Sequence, residues 1–237
     1  MKEKSVAVMQ PYFFPYLGYF DVINCTDRWI VFDTPQYIRH GWVNRNRILH
    51  PHQGWQYIIA PLQKHDLTAT IDTIRVMPDA KWRQKILGQV QHYKKRAPFF
   101  LKTHQLLEDC LVNEETSLVN LNTSILAKVC SHLNIKFKYE LFSGMKLHLG
   151  NIEGPGDWAL RISEALGASE YVNPPGGAAI FNPAQFDAAR VKLTLRELPP
   201  LEYCCQGYEF IPQLSIIDLL MWNTPERIKD HLDAHRN

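Results

Sequence analysis

Long hydrophobic runs are missing from this 237-residue sequence. A membrane-spanning helix needs roughly 18 apolar residues in succession, so no membrane span is expected. The N-terminus is charged and the first apolar run stops at Pro11, so a secretory signal peptide is not expected either. Internal repeats and low-complexity segments are also absent. These absences favour a globular cytoplasmic protein of one domain, or of one main domain with a small appendage.

Cysteine is scarce, and its spacing excludes two common kinds of small domain. The five cysteines are Cys25, Cys110, Cys130, Cys204 and Cys205. Because their number is odd and no Cys-x-x-Cys pair occurs, they predict neither a disulfide framework nor a zinc ribbon. His40, His50 and His52 lie near one another in sequence, but no carboxylate completes a ligand set at helix-face spacing. No metal site is therefore predicted.

An excess of charge of one sign is also lacking. Lys and Arg total 26 against 24 Asp and Glu, which gives a formal net charge of +2. Proteins that bind nucleic acid usually carry a basic excess, so nucleic acid is not an expected partner. The Walker A loop, the Gly-x-Ser-x-Gly elbow and the zinc-deaminase signature are absent as well. The sequence thus excludes several common chemistries before it suggests one.

The elements that are present begin with a strand, a loop, a helix and a second strand. Residues 5–10 form a short apolar run, which Pro11 ends. After the proline-rich loop, the spacing of Leu17, Phe20 and Ile23 predicts a helix to about residue 26. Residues 29–32 read as a second buried strand. The first 33 residues therefore indicate a parallel β–α–β crossover unit.

The rest of the chain continues this alternation. We predict a long loop over 35–52, strands over 55–60, 71–76 and 136–142, and helices over 79–93, 98–112, 114–133 and 158–166. A further helix begins after Ser215 as its N-cap. The expected fold is α/β, a Rossmann-like parallel sheet with an inserted helical cluster. The expected domains are an α/β core of residues 1–78 and 136–237 and a helical subdomain of residues 79–135.

The densest candidate site lies where the first strand meets the first helix. The residues expected to bind a ligand there are Gln10, Tyr12, Tyr16, Gly18 and Tyr19. In an open α/β sheet, ligands collect where the carboxyl ends of strands meet helix N-termini. A glycine at that point lets a nucleotide or phosphate approach the backbone. The alternative interpretation is an aromatic plug of the core.

The second candidate site is the segment 42–47, in which two amides alternate with two guanidiniums. Arg45 is a candidate for binding a carboxylate or phosphate, since guanidinium binds such groups in a bidentate manner. Asn44 and Asn46 are candidates for holding a sugar hydroxyl or an amide, and Trp42 anchors the segment. The alternative interpretation is a solvated loop.

Weaker signals come from paired glycines and from isolated acid–base residues. Gly176 and Gly177 follow two prolines and predict an anion-binding nest, with a plain turn as the alternative. The acid–base candidates are Asp21, Asp33 and His40, which the sequence alone does not rank. We take Asp33, His40 and Arg45 as the predicted catalytic residues.

Three segments resemble the WbqC-like protein family. They are Val8-Met-Gln-Pro-Tyr-Phe-Phe-Pro-Tyr-Leu-Gly-Tyr-Phe20, Trp42-Val-Asn-Arg-Asn-Arg-Ile48 and Leu214-Ser-Ile-Ile-Asp-Leu-Leu220. The resemblance runs in order over nearly the whole chain, and it departs from the family pattern at residues 171–177 and at Asn223-Thr-Pro. It implies a setting in bacterial surface-polysaccharide synthesis, either of O-antigen or of modified sugars.

The layout of the first 36 residues also resembles pantothenate synthetase and other nucleotidylyltransferase-like folds. In those enzymes a His-x-Gly-His signature binds ATP phosphates, whereas here Tyr16 and Tyr19 flank Gly18 at the positions of the two histidines. The resemblance implies a nucleotidylyltransferase-like sheet. It also adds Gln36, in the Pro-Gln step, to the candidate ligand-binding residues and leaves ATP open as a cofactor.

These observations lead to one functional hypothesis with two rivals. The hypothesis is an enzyme that transfers an acyl or aminoacyl group to the amine of a nucleotide-linked amino sugar, with or without ATP. Its expected partners are the nucleotide-linked sugar and a small activated donor, and a homodimer is left open. The rivals are a non-catalytic binding or scaffold protein of the glycan assembly machinery, and a nucleotide-sugar hydrolase or isomerase.

Overall fold

A computed structural model describes residues 4–112 and 115–236 of the chain. Its first elements are strand β1 (Ser5–Met9), helix α1 (Leu17–Cys25) and strand β2 (Arg28–Val31). β1 and β2 are parallel neighbours, with Val6 opposite Arg28. The predicted β–α–β crossover unit is therefore confirmed. Residues 1–3, 113–114 and 237, which the expected domains include, lie outside the described residues.

Five parallel strands form the main sheet. Its spatial order is β5 (Tyr139–Leu141), β2, β1, β6 (Glu170–Asn173) and β7 (Lys192–Leu195). Every neighbouring pair in this sheet is parallel. Counted along the chain, the strands stand in the order 3-2-1-4-5, so the direction of winding reverses at β1. This is the strand order of Rossmann-like folds, and the predicted α/β class is confirmed.

Alternate side chains of the central strands enter two separate apolar layers. Val6, Val8 and Ile30 pack on one face of the sheet with helix α5 (Asp157–Ala165). Ala7 and Val31 point to the opposite face and join a larger core that includes α1. Because both faces are covered by helices, the strands are short continuous apolar runs.

The larger core also contains the helices from the middle of the chain and one from near its end. They are α2 (Lys81–Gln89), which continues as a 3₁₀ helix (Val90–Lys95), α3 (Phe100–Leu111), α4 (Leu118–His132) and α7 (Ile216–Trp222). These elements correspond to the helices predicted over 79–93, 98–112 and 114–133, with ends that differ by a few residues. Residue 114 lies outside the described residues. Ser215 accepts a hydrogen bond from the backbone N–H of Ile217 at 3.2 Å, which confirms it as an N-cap.

The loop predicted over residues 35–52 is wrong in its later part. There, strand β3 (Arg45–Leu49) pairs antiparallel with β4 (Trp55–Ile59) in a separate two-stranded sheet. Polar residues dominate β3, which hid it from a search for apolar alternation. Its stability comes from cross-strand contacts, since the Arg45 guanidinium lies 4.1 Å from the ring centroid of Tyr57.

The strand predicted over residues 71–76 is also wrong. Ile71–Thr73 is a 3₁₀ helix, and Arg75 and Val76 form only isolated bridges. The hydroxyl of Thr73 donates to the carbonyl oxygen of Thr70 at 2.8 Å. Side-chain bonds of this local kind compete with a strand ladder.

Two further helices were not predicted, α6 (Pro183–Ala188) and α8 (Pro225–Ala234). Each begins with a proline that follows a capping side chain, Asn182 for α6 and Thr224 for α8. A capping residue followed by proline is a sequence signal for a helix start, so both helices were detectable. Within residues 4–112 and 115–236, no helix combines the length and the apolar character that crossing a bilayer demands.

Candidate functional site

A cavity of about 800 Å³ opens at the carboxyl-terminal edge of the parallel sheet. The end of β1 and the residue after it contribute Met9 and Gln10, the segment after β2 contributes Thr34, and the end of β6 and the residue after it contribute Asn173 and Pro174. Small-molecule sites occupy roughly 300–1,000 Å³. The cavity lies where the strand order reverses between β1 and β6, and this is the place where open α/β sheets bind ligands.

Eight residues that the sequence predicted line this cavity. They are Gln10, Tyr12, Tyr16, Gln36, Trp42, Asn46, Gly176 and Gly177. The proline-rich loop, the Arg-Asn segment and the paired glycines were three separate candidates in the sequence. The fold brings all three to one cavity.

Among the lining residues that the structure describes, Arg47 alone carries a charge. Its guanidinium carbon lies 5.2 Å from the ring centroid of Trp42 and 5.2 Å from that of Trp55. The buried Nε has no hydrogen-bond partner within the described residues, and no described carboxylate pairs with the guanidinium. A cation held between two rings without a counter-ion attracts an anionic ligand group.

Sequence reasoning selected Arg45 and missed Arg47 as the residue at the cavity. Both residues occupy the same face of β3, because side chains alternate along a strand. The two arginines differ in their tertiary contacts. The Arg45 guanidinium lies over the ring of Tyr57, while the Arg47 guanidinium contacts the indoles of Trp42 and Trp55. Only the alternation of charged and amide residues in this segment was a signal in the sequence.

The remaining lining is aromatic and neutral. Its rings belong to Tyr12, Tyr16, Phe32, Trp42, Trp158, Tyr171 and Phe181. Burial raises the pKa of Tyr12 and, together with the nearby Tyr12 and Asp21, raises the pKa of Tyr16 to about 12. Both phenols therefore stay protonated at neutral pH. The lining suits a ligand with a flat ring, polar groups and one anionic centre.

Carboxylates, imidazoles, ammonium groups and thiols are not part of the described lining of this cavity. No Asp, Glu, His, Lys or Cys occurs among the described residues around the cavity. In the part of the chain that the structure describes, no three such side chains are grouped closely enough to hold a metal ion. Besides Arg47, the titratable side chains of the described lining are therefore the phenols of Tyr12, Tyr16 and Tyr171.

The Pro11–Pro15 loop, which forms one wall, is held through its backbone carbonyls. Asn46 donates to the carbonyl oxygen of Phe14 at 2.9 Å, and the hydroxyl of Ser215 donates to the same oxygen at 2.8 Å. Asn122 of α4 donates to the carbonyl oxygen of Pro11 at 2.7 Å. Phe14 has a φ of +43°, a conformation that L residues seldom adopt. These three side chains therefore stabilise a loop conformation that would be unfavourable on its own.

The role of Asn122 was missed in the sequence, although a signal was present. Asn122 is wholly buried and lies beside Leu121 on the apolar face of α4. A buried amide in such a position indicates a hydrogen bond to backbone, since unpaired polar groups are rarely buried. The other role of Ser215, as a donor to the Pro11–Pro15 loop, had no such signal beyond its N-cap position.

The three predicted catalytic residues lie outside the described lining of the cavity. The carboxylate of Asp33 is buried and accepts the backbone N–H of Ser143 at 2.9 Å and its hydroxyl at 2.6 Å. His40 occupies a turn with φ +64°, and Arg45 donates to its carbonyl oxygen. The side chains of Asp33 and Arg45 thus hold backbone segments, and the exposed His40 contributes its carbonyl oxygen to one of these contacts.

Two other predicted binding residues also serve the fold. Asn44 accepts the hydroxyl of Tyr37 at 2.8 Å and donates to the carbonyl oxygen of Ala60 at 3.0 Å. Tyr19 is fully buried, and its hydroxyl donates to the carbonyl oxygen of Gln10 at 2.7 Å. Neither side chain belongs to the cavity lining.

Gly18 borders a second, smaller cavity of about 320 Å³ that adjoins the first. A Cβ atom at Gly18 would stand 2.6 Å from the ring of Tyr16, so the glycine allows this ring to lie against the helix start. Tyr16 lines both cavities. The position of this ring therefore depends on the absence of a side chain two residues later.

The glycine-rich segment 150–156 forms part of the opposite wall. Pro155 lines the cavity, and a Cβ atom at Gly156 would stand 1.9 Å from the carbonyl oxygen of Ile180. Ile180 and Phe181 line the cavity as well. Because the obstruction is backbone, no side-chain rotation relieves it, and only glycine permits this close contact.

A buried carboxylate connects β3, which carries Arg47, to α7. Asp218 accepts the hydroxyl of Tyr93 at 2.5 Å and that of Tyr203 at 2.7 Å. The Tyr93 hydroxyl in turn accepts the backbone N–H of Leu49 at 2.9 Å. Burial raises the pKa of Asp218 to about 6, against the lowering effect of the two phenols. The end of β3 is thereby fixed to a helix that is buried along its length.

Comparison with known proteins gives one family and one relative. The sequence profile of the WbqC-like protein family matches residues 10–230, a range that contains nearly all of the cavity lining. The chain is 29% identical over 237 residues to the uncharacterized protein Rv1507c of Mycobacterium tuberculosis, covering 97% of each chain. No solved structure matches the chain.

Proposed function

The chain belongs to the WbqC-like protein family, and on this premise we propose that it transfers an acyl or aminoacyl group to the amine of a nucleotide-linked amino sugar. The setting is the synthesis of bacterial surface polysaccharide, and the 800 Å³ cavity binds the nucleotide-linked sugar. The observation that carries the proposal is Arg47, a cation without a described counter-ion beside the aromatic rings of the cavity.

The chemistry of the lining supports this class of ligand. The Arg47 guanidinium neutralises a phosphate of the nucleotide through charge-assisted hydrogen bonds. A flat base or a sugar face stacks on rings such as Trp42 and Trp158. Neutral amides, among them Gln10 and Gln213, hold hydroxyl groups. A site with one cation and no carboxylate in its described lining fits a ligand with a compact negative centre.

The proposed reaction is an acyl transfer that needs no base from the lining. The amine nitrogen attacks the carbonyl carbon of the donor and forms a new C–N bond. The bond from that carbon to the sulfur or oxygen of the leaving group breaks, and the proton lost by the amine ends on the leaving group. Acceleration comes from holding the two reactants together and from excluding water.

ATP fits the same scheme when the donor is a free acid. The carboxylate of the free acid attacks the α-phosphate of ATP, pyrophosphate leaves, and the resulting acyl adenylate is the activated donor. In this proposal Asp33 and Arg45 act as positioning residues, since their side chains hold the segments of Ser143 and His40. Arg47 replaces Arg45 as the residue that meets the anion.

Titration calorimetry with UDP- and dTDP-linked aminohexoses tests the binding part. We expect Arg47→Gln to weaken binding about 10- to 100-fold, because a hydrogen bond to a charged group contributes roughly 1.5–3 kcal/mol. Arg39→Gln is the matched control, since Arg39 is an exposed arginine of the neighbouring loop and lines neither cavity. Equal affinities of the two variants for the sugar nucleotides would contradict the proposed role of Arg47 in binding the phosphate.

Mass spectrometry of the sugar nucleotide tests the transfer part. The protein is incubated with each aminohexose nucleotide and either an acyl thioester or an amino acid with ATP. The expected product is heavier by one acyl group, and Arg47→Gln forms it more slowly. Tight binding of the sugar nucleotide without a mass change for any donor contradicts the transferase.

One observation favours a second candidate, a non-catalytic binding protein of the glycan assembly machinery. The described lining contains no Asp, Glu, His, Lys or Cys that could act as a base or nucleophile. A binding protein would show the same dependence on Arg47 in calorimetry but would never change the mass of its ligand. A hydrolase or isomerase would alter the nucleotide sugar without any donor present.

A further inference from the structure

The cavity of about 320 Å³ has a chemistry different from that of its larger neighbour. It is lined mainly by aliphatic, proline and aromatic side chains, such as Leu198, Leu201, Phe210 and Ile211. Five prolines, at positions 174, 175, 199, 200 and 212, are part of this wall. Because proline has a fixed φ, these segments lose little freedom when a ligand binds.

The charged residues of the smaller cavity do not offer an anion site. The guanidinium of Arg196 donates to the buried carboxylate of Asp21 at 2.5 and 3.0 Å and to the carbonyl oxygen of His235. The other charged residue of this lining is Glu197, an acid. A phosphate or nucleotide therefore finds no available cation among the described residues here, whereas a hydrocarbon group finds an apolar surface.

The two cavities adjoin along a shared wall. Tyr16, Pro174, Gly176 and Gln213 line both of them. Gln213 has a φ of +57°, so the wall includes a backbone conformation that L residues seldom adopt. A ligand of the smaller cavity that reaches Tyr16 therefore contacts the same side chain as a ligand of the larger cavity.

We propose that the smaller cavity binds the hydrocarbon part of the acyl donor, so that the transferred group is aliphatic. This inference rests on the proposed transfer reaction, and it adds the chemical class of the donor. The acyl chain lies against Leu198 and Phe210, and the carbonyl carbon lies at the shared wall. There the amine of the sugar in the larger cavity attacks it, the C–N bond forms, and the leaving group departs with the amine proton.

Ligand-observed NMR with the N-acetylcysteamine thioesters of acetate, butyrate and hexanoate tests this inference. Each buried methylene is expected to raise the affinity about fourfold until the chain fills the cavity. Leu198→Trp fills the cavity and is expected to weaken hexanoyl thioester binding at least about 10-fold, while sugar-nucleotide binding stays unchanged. Leu195→Trp is the matched control, because this exposed leucine of β7 lines neither cavity.

A second variant, Ile211→Trp, places the same bulk on another part of the wall and covers the case in which Leu198→Trp does not fold. The inference is overturned if hexanoyl binds no tighter than acetyl, or if every folded cavity-filling variant binds hexanoyl as the wild type does. Acetyl transfer without any dependence on chain length would leave the proposed function standing and overturn only the aliphatic donor. Chain-length-dependent binding without transfer would support the smaller cavity's ligand and contradict the transferase.

Discussion

The buried carboxylate of Asp218 predicts an unusual dependence of stability on pH. Its pKa is raised to about 6 in the folded protein, against 3.8 for an ordinary aspartate. A raised folded-state pKa means that the native protein holds the proton more tightly than the unfolded chain does. The stability due to this group is therefore fully present below pH 4 and is lost as the pH rises through about 6. The shift corresponds to about 3 kcal/mol.

Asp218→Asn tests this reasoning, because asparagine has nearly the same shape and does not titrate. Urea unfolding of both proteins between pH 4 and pH 7 gives the free energy of unfolding at each pH. Relative to the wild type, the variant is expected to gain about 2.5 kcal/mol over this range, since part of the full shift lies below pH 4. Asp187→Asn, which changes an exposed carboxylate on α6, should follow the wild-type curve. Parallel curves for Asp218→Asn and the wild type would refute the assignment.

Three further changes test the walls and their supports. Gly156→Ala places a methyl group against the carbonyl oxygen of Ile180 and should lower the free energy of unfolding by about 1–3 kcal/mol; an unchanged urea midpoint would contradict the close contact. Asn46→Ala leaves loop carbonyls unpaired and should cost about 1–3 kcal/mol in the same assay, whereas a stability equal to wild type would show that other donors hold the loop. Arg196→Met leaves the buried carboxylate of Asp21 without its ion-pair partner and should lower the free energy of unfolding by about 3–5 kcal/mol. The loss should be larger at pH 7 than at pH 4, because burial raises the pKa of Asp21, the guanidinium opposes this rise, and without the guanidinium the carboxyl is protonated more readily at low pH. A loss of stability that does not depend on pH would contradict this reasoning.

The sequence was sufficient to predict those elements whose local residue pattern matches the part they take in the tertiary structure. β1, α1 and β2 follow from two apolar runs and a helical spacing between them, and their parallel pairing follows from the crossover. The same agreement holds for Ser215, whose N-cap role is a local matter. The lining by Gln10 and Tyr16 was also predictable, because ligands collect at the carboxyl end of the first strand.

The sequence was insufficient where contacts with distant segments determine the local structure or the position of a side chain. β3 was read as a loop, because its first three residues are polar and the rings that contact its arginines lie on β4. Arg45 and Arg47 are alike in sequence, and only the positions of Tyr57, Trp42 and Trp55 separate them. Part of the cavity depends on β6 pairing with β1, a contact between residues about 165 positions apart that no short window of sequence contains.

The anchoring of the Pro11–Pro15 loop has a consequence for the order of events during synthesis. The loop lies near the start of the chain, yet its carbonyls are held by side chains from β3, α4 and the start of α7. The bond from Ser215 to Phe14 spans 201 residues. A ribosome-bound chain that has emerged only as far as α4 therefore lacks one of the donors that fix this loop. The wall of the cavity is completed only after residue 215 has emerged, so the cavity takes its final form late in folding, when nearly the whole chain has been made.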